Sequence, residues 1–145
     1  MSGIIGGAGS RSGIIGYTEI AYEEGIWTPA SQEGTLQQDN SMWYRRMGTL
    51  AWFGASVKFQ AGLTTTNNQK ITGLPFSPVT YSPGYVGYTD WGSTDEPHLM
   101  IVVWNALNYA NFYKTFGSSL TGANLAGSRV DFTLVLNIDG PWTDG

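Results

Sequence analysis

The clearest pattern in the chain is alternation. Ala51, Phe53, Ala55, Val57, Phe59 and Ala61 alternate with Trp52, Gly54, Ser56, Lys58 and Gln60, and Val130, Phe132, Leu134, Leu136 and Ile138 alternate with Arg129, Asp131, Thr133 and Asn137. A period of two predicts strands with one face in a core and the other turned outward. Residues 98–104 form a near-continuous, β-branched apolar run, which predicts a strand buried on both faces. Residues 42–47 predict a hairpin with the strand beginning at Thr49, turning at Gly48, and residues 109–116 predict a further strand. No segment sustains a helical period. Many short strands separated by Gly-, Pro- and Asn-rich turns predict an all-β sandwich or barrel. The longest stretch read as irregular is residues 77–97, rich in Pro, Gly and Tyr.

The first sixteen residues follow a different rule. Ser2-Gly3-Ile4-Ile5-Gly6 returns ten residues later as Ser12-Gly13-Ile14-Ile15-Gly16. Glycine makes a regular element costly there in backbone entropy, yet paired isoleucines are not what a merely solvated linker uses. The segment reads as an extended arm, with Ile4, Ile5, Ile14 and Ile15 as the residues that anchor it to a partner; the alternative is a passive tail or an arm folded back on its own domain. Residues 1–19 are therefore set apart as an N-terminal anchoring arm and residues 20–145 as the β domain.

Composition narrows the partners. A chain of 145 residues can bury roughly two-thirds of its unfolded surface, so a core needs no staples. Cysteine is absent, which removes disulfides and thiolate metal sites. Charged residues are only 12% of the chain, against about 25% in average soluble domains. So few charges, with aromatics at 14%, point to an oligomer with surface buried between subunits, or else to a surface covered by the many Ser, Thr, Asn and Gln. A net charge of -4, with Arg45-Arg46 as the one basic pair, argues against nucleic acid. The longest apolar run, residues 99–104, is far short of the ~20 residues that span a bilayer, so no membrane insertion is expected. The opening residues lack a charged segment leading into an apolar one, so no signal peptide is expected.

Candidate chemistry is sparse. His98 is the one histidine, beside Leu99 and Met100, and no nucleophile elbow accompanies it; it reads as a strand-edge residue. Glu23-Glu24 and Asp95-Glu96 are adjacent pairs, but neighbours on a strand face opposite ways, whereas glycoside hydrolysis needs two carboxylates flanking one bond. No catalytic residue, metal site or cofactor is expected. The ligand candidates are aromatic: Tyr81, Tyr85, Tyr88 and Trp91, with Asp95, could stack on sugar rings and bond their hydroxyls, or could pack into the domain or a neighbouring subunit.

Three segments together carry a resemblance. Tyr22-Glu23-Glu24-Gly25-Ile26-Trp27-Thr28-Pro29 resembles the Y/F-E-x-G-x-W-T-P opening of a domain found in tail fibres, head fibres and small virion proteins of tailed bacteriophages. Trp43-Tyr44-Arg45-Arg46-Met47-Gly48-Thr49-Leu50-Ala51-Trp52 is similar to that family's Y-x-K-I-G-x-L-V element, and Ile71-Thr72-Gly73-Leu74-Pro75-Phe76 to its I-x-G-L-P-F. Arg46-Met47 departs from Lys-Ile, and the Tyr-rich stretch after Phe76 is an insertion. The resemblance covers about residues 20–140. It implies a jelly-roll-like antiparallel β-sandwich, commonly trimeric and displayed on the virion. The expectation is a non-enzymatic, homotrimeric structural protein of the virion surface, made in the bacterial host cytoplasm and attached to other virion proteins by the arm, as capsid decoration or head fibre. The alternative is a receptor-binding tail-fibre tip that adheres to host surface polysaccharide.

Overall fold

The computed structural model describes residues 22–91, 98–114 and 117–138, leaving aside the side chains of residues 38–40. The arm with Ile4, Ile5, Ile14 and Ile15 lies outside the described residues, as does Asp95. Nine strands are present among the described residues: β1 (Tyr22–Gly25), β2 (Ala30–Ser31), β3 (Leu36–Met47), β4 (Leu50–Phe59), β5 (Lys70–Thr72), β6 (Ser82–Thr89), β7 (Leu99–Val103), β8 (Ala110–Lys114) and β9 (Arg129–Asn137). One short helix, α1 (Gly122–Leu125), precedes β9, and its Thr121 cap and Asn124 bond each other's backbone N–H.

The all-β expectation holds, and every ladder is antiparallel. The strands form a single sheet in the order β1-β3-β4-β9-β6-β7-β8-β5-β2. Laid flat, eight gaps of about 4.8 Å would put β1 and β2 roughly 38 Å apart. Yet β1 ends at Gly25 and β2 starts at Ala30, and five residue steps reach at most about 18 Å. The sheet must curl until its edges approach, giving a half-barrel. One curled sheet thus supplies the inner faces that the jelly-roll reading takes from two facing sheets.

The inner face is the core, filled by the residues whose alternation marks it. Ala51, Phe53, Ala55, Val57 and Phe59 of β4 and Val130, Phe132, Leu134 and Leu136 of β9, with Ile138 just beyond it, are all buried. Ile101 and Val103 of β7, Ala110 and Phe112 of β8 and Ile71 of β5 close it from the other side. In the apolar run of residues 99–104, Val102 is buried on the second face as well, while Met100 and Trp104 stay exposed. His98 is exposed and immediately precedes β7.

The three segments that carry the resemblance meet at one end of this core. Trp27 crosses between the sheet edges, is buried, and donates its indole N–H to the Gly54 carbonyl at 3.1 Å. Its ring meets Phe53 edge-on at 6.2 Å and Phe132 at 6.5 Å. Gly73, at φ +89°, lies against the Thr28 backbone, where a Cβ would overlap the carbonyl oxygen. Phe76 packs on Tyr44 and Phe53, under the Arg46 guanidinium at 5.4 Å. These contacts hold the curl closed. The turn between β3 and β4 falls at Gly48, with φ +59°, where glycine avoids the left-handed penalty.

Residues 77–97 are not one irregular stretch, contrary to expectation. Ser82–Thr89 is strand β6, paired with β7 on one side and β9 on the other. The sequence hides it, because Ser-Pro-Gly-Tyr-Val-Gly-Tyr-Thr carries proline or glycine at three of eight positions. Pro83 is tolerated near the start of the strand, where the β9 ladder begins only at Gly84. The first half of β3 was equally unannounced: Leu36 to Ser41 is almost wholly polar.

Candidate functional site: an aromatic-walled groove on the outer face

The outward positions of β4 and β9 are of two kinds. Trp52, Lys58 and Val135 are large, whereas Gly54, Ser56 and Thr133 are small. The register sets the small ones side by side, with Gly54 opposite Thr133 and Ser56 opposite Asp131. The same rows continue onto the flanking strands, from Trp43 on β3 to Gly54 and from Thr133 to Tyr85 on β6. The result is a groove of about 270 Å³ across four strands.

Both walls are aimed by bulges. On β3 the register slips by one residue between Asn40 and Trp43, at Ser41, which has φ +56°. Without that extra residue Met42, not Trp43, would oppose Gly54. The slip turns the indole outward over Gly54, where any Cβ would collide with the ring. On β6 the register slips between Val86 and Tyr88, at Gly87. Strict alternation would send Tyr88 inward; the bulge returns it to the outer face opposite Asp131. Tyr85 is 73% exposed and Tyr88 53%, so neither ring is consumed by the core.

The floor carries one fixed ion pair. Arg129 donates from Nε to Asp131 Oδ1 and from Nη2 to Oδ2, both at 2.9 Å, in the bidentate geometry suited to a guanidinium. Ser56, itself buried, also bonds Asp131. Partial burial pushes the Asp131 pKa up, but the bonds from Arg129 and Ser56 outweigh it and hold the carboxylate below its ordinary value. The Asp131 bond raises the Arg129 pKa in turn. The Arg129 guanidinium also sits over the Tyr88 ring at 5.5 Å, and that of Arg45 over Trp43 at 5.9 Å. Asp90 pins the end of β6 by accepting from the Arg129 backbone N–H.

The structure divides the sequence-predicted aromatic set. Tyr85 lines the groove and Tyr88 flanks it. Tyr81 instead packs edge-on against Trp104 at 5.0 Å, and Trp91 is half-buried against the core. Trp43, Ser56, Arg129 and Asp131 were not among the expected site residues. The signal that marks them is the break in the outward rows, where small and polar side chains interrupt large ones on two neighbouring strands. Among the described residues no group of three or more His, Cys, Asp or Glu could hold a metal ion. No protein-family model, curated protein or solved structure matches this chain.

Proposed function

We propose that this chain is a non-enzymatic structural protein of a tailed-bacteriophage particle, displayed on the virion surface as capsid decoration or head fibre, trimeric, and attached by its N-terminal arm. The observation that carries this reading is the meeting of the three phage-like segments in one interlocked cluster. Trp27, Gly73 with Thr28, and Tyr44 with Phe76 form the device that closes the curl, so the resemblance falls on residues with a shared structural task. Among the described residues, the groove lining holds one carboxylate, Asp131, bonded on both oxygens by Arg129. A glycosidase needs a second carboxylate and an acid with a raised pKa.

A second reading, adhesion to a host surface glycan as on a tail-fibre tip, is favoured by the aromatic walls of the groove. Both readings place the domain on the particle exterior. Gold-labelled antibody against residues 20–145, imaged on intact particles, tests them: label on the capsid supports decoration or head fibre, and label at the tail tip supports adhesion. Particles that carry no label and lack the chain by mass spectrometry would overturn both.

A further inference from the structure

We propose that the groove between Trp43 and Tyr85–Tyr88 binds a short, uncharged saccharide segment, an inference that rests on and deepens the adhesion reading. Three features lead to it. The walls are exposed rings, and a pyranose presents a flat C–H face that stacks on an aromatic surface while its hydroxyl edge stays free. Gly54 seats the Trp43 indole, which lies directly on it, and the floor stays open at Gly87, where an added Cβ would meet nothing closer than 3.6 Å.

The third feature is the polar pair, and it decides the ligand's charge. A carboxylate has about four lone-pair positions. Two accept from Arg129 and one from Ser56, which leaves one to accept from a ligand hydroxyl. Arg129 has five N–H donors, two of them spent on Asp131. An acceptor and free donors thus stand side by side, matching neighbouring sugar hydroxyls, each of which both donates and accepts. The pair has no net charge. An anionic ligand that reached the free Arg129 donors would lie beside the Asp131 carboxylate, whose charge repels it and already neutralises the guanidinium, so neutral sugars are selected over sialylated, uronic or phosphorylated ones. At about 270 Å³, below the 300–1,000 Å³ usual for sites that enclose drug-sized ligands, the groove suits one or two rings held weakly. Dissociation constants near 1 mM are expected, multiplied by valency on a particle.

The test is a ¹⁵N NMR titration of the full chain with maltohexaose, laminarihexaose and mannohexaose as neutral probes, and with oligogalacturonate and sialyllactose as anionic ones. At least one neutral probe should shift the Trp43 indole N–H and the amides of Tyr85 and Asp131, and the anionic probes should not. Tyr85→Ala should weaken that binding at least tenfold. Gly87→Leu, which fills the groove from a position with room for a side chain, should abolish it and leave the remaining spectrum folded. No response to any neutral probe, a stronger response to an anionic one, or binding that survives Gly87→Leu would each overturn the proposal. Gold labelling reads the particle location independently, so failure here would leave that location standing.

Discussion

The two faces of the β4–β9 pair share one backbone and one register but obey opposite rules. Inward, every position from Ala51 to Phe59 and from Val130 to Leu136 that points to the core is apolar and buried. Outward, the same strands offer Gly54, Ser56, Asp131 and Thr133, flanked by rings that the adjoining strands turn away from the core. The inner face is selected for volume and continuity, because a missing methylene there leaves a cavity. The outer face is selected for a gap, and a gap needs small residues in register plus bulges to aim its walls. On the proposed reading, stability and recognition are separable on this sheet, and substitutions of the core and of the outer rings should fail in different ways.

The largest effect is expected at the closure of the core. Trp27→Ala removes a buried ring, its two aromatic contacts and the bond to the Gly54 carbonyl, and should cost about 3 to 5 kcal/mol. Domains of this size are stable by only about 5 to 15 kcal/mol, so urea denaturation should show a large loss or an unfolded chain. Gly73→Ala comes next. It places a side chain at φ +89° and drives a Cβ into the Thr28 carbonyl, a strain of about 1 to 3 kcal/mol, read by the same denaturation curves. Either variant behaving like the parent would mean that the two edges of the sheet are not held together as described.

A smaller effect, with a pH signature, belongs to the outer face. The folded-state pKa of Asp131 lies below its ordinary value, so its stabilising contribution is fully present above the unfolded pKa of about 3.9 and is lost as the pH falls through the folded value. Asp131→Asn should therefore be less stable than the parent at neutral pH. Below the carboxylate range that difference should vanish. Thermal melts across pH 2 to 7 check this, and a difference that persists unchanged into acid would show that charge is not its source.

Legibility in the sequence followed the same division of faces. The core faces of β4 and β9 were readable because alternation of Phe, Val and Leu with polar residues is a local signal that survives into the fold. The turn at Gly48 and the edge position of His98 were local too. β6 was not readable, since a strand paired on both sides needs little from its own side chains and Pro83, Gly84 and Gly87 read as turn. Half of the groove was visible in Tyr85 and Tyr88 as surplus aromatics. The other half, Trp43 with Ser56, Arg129 and Asp131, depends on which residue faces which across four strands, and on two one-residue slips that no local pattern announces. The curl was hidden for a similar reason: it follows from residues 26–29 joining the two edges of one sheet, a fact of pairing order.

The separation of the two faces is tested most directly by the double variant Tyr85→Ala/Tyr88→Ala, measured for unfolding free energy and for neutral-oligosaccharide binding on the same preparation. Both rings are exposed on the outer face, and surface substitutions usually stay within about 0.5 kcal/mol each. The predicted result is a domain within about 1 kcal/mol of the parent that no longer shifts on titration with the neutral sugars. A double variant destabilised as severely as Trp27→Ala, or one that binds the sugars as the parent does, would contradict the assignment of the outer face to recognition.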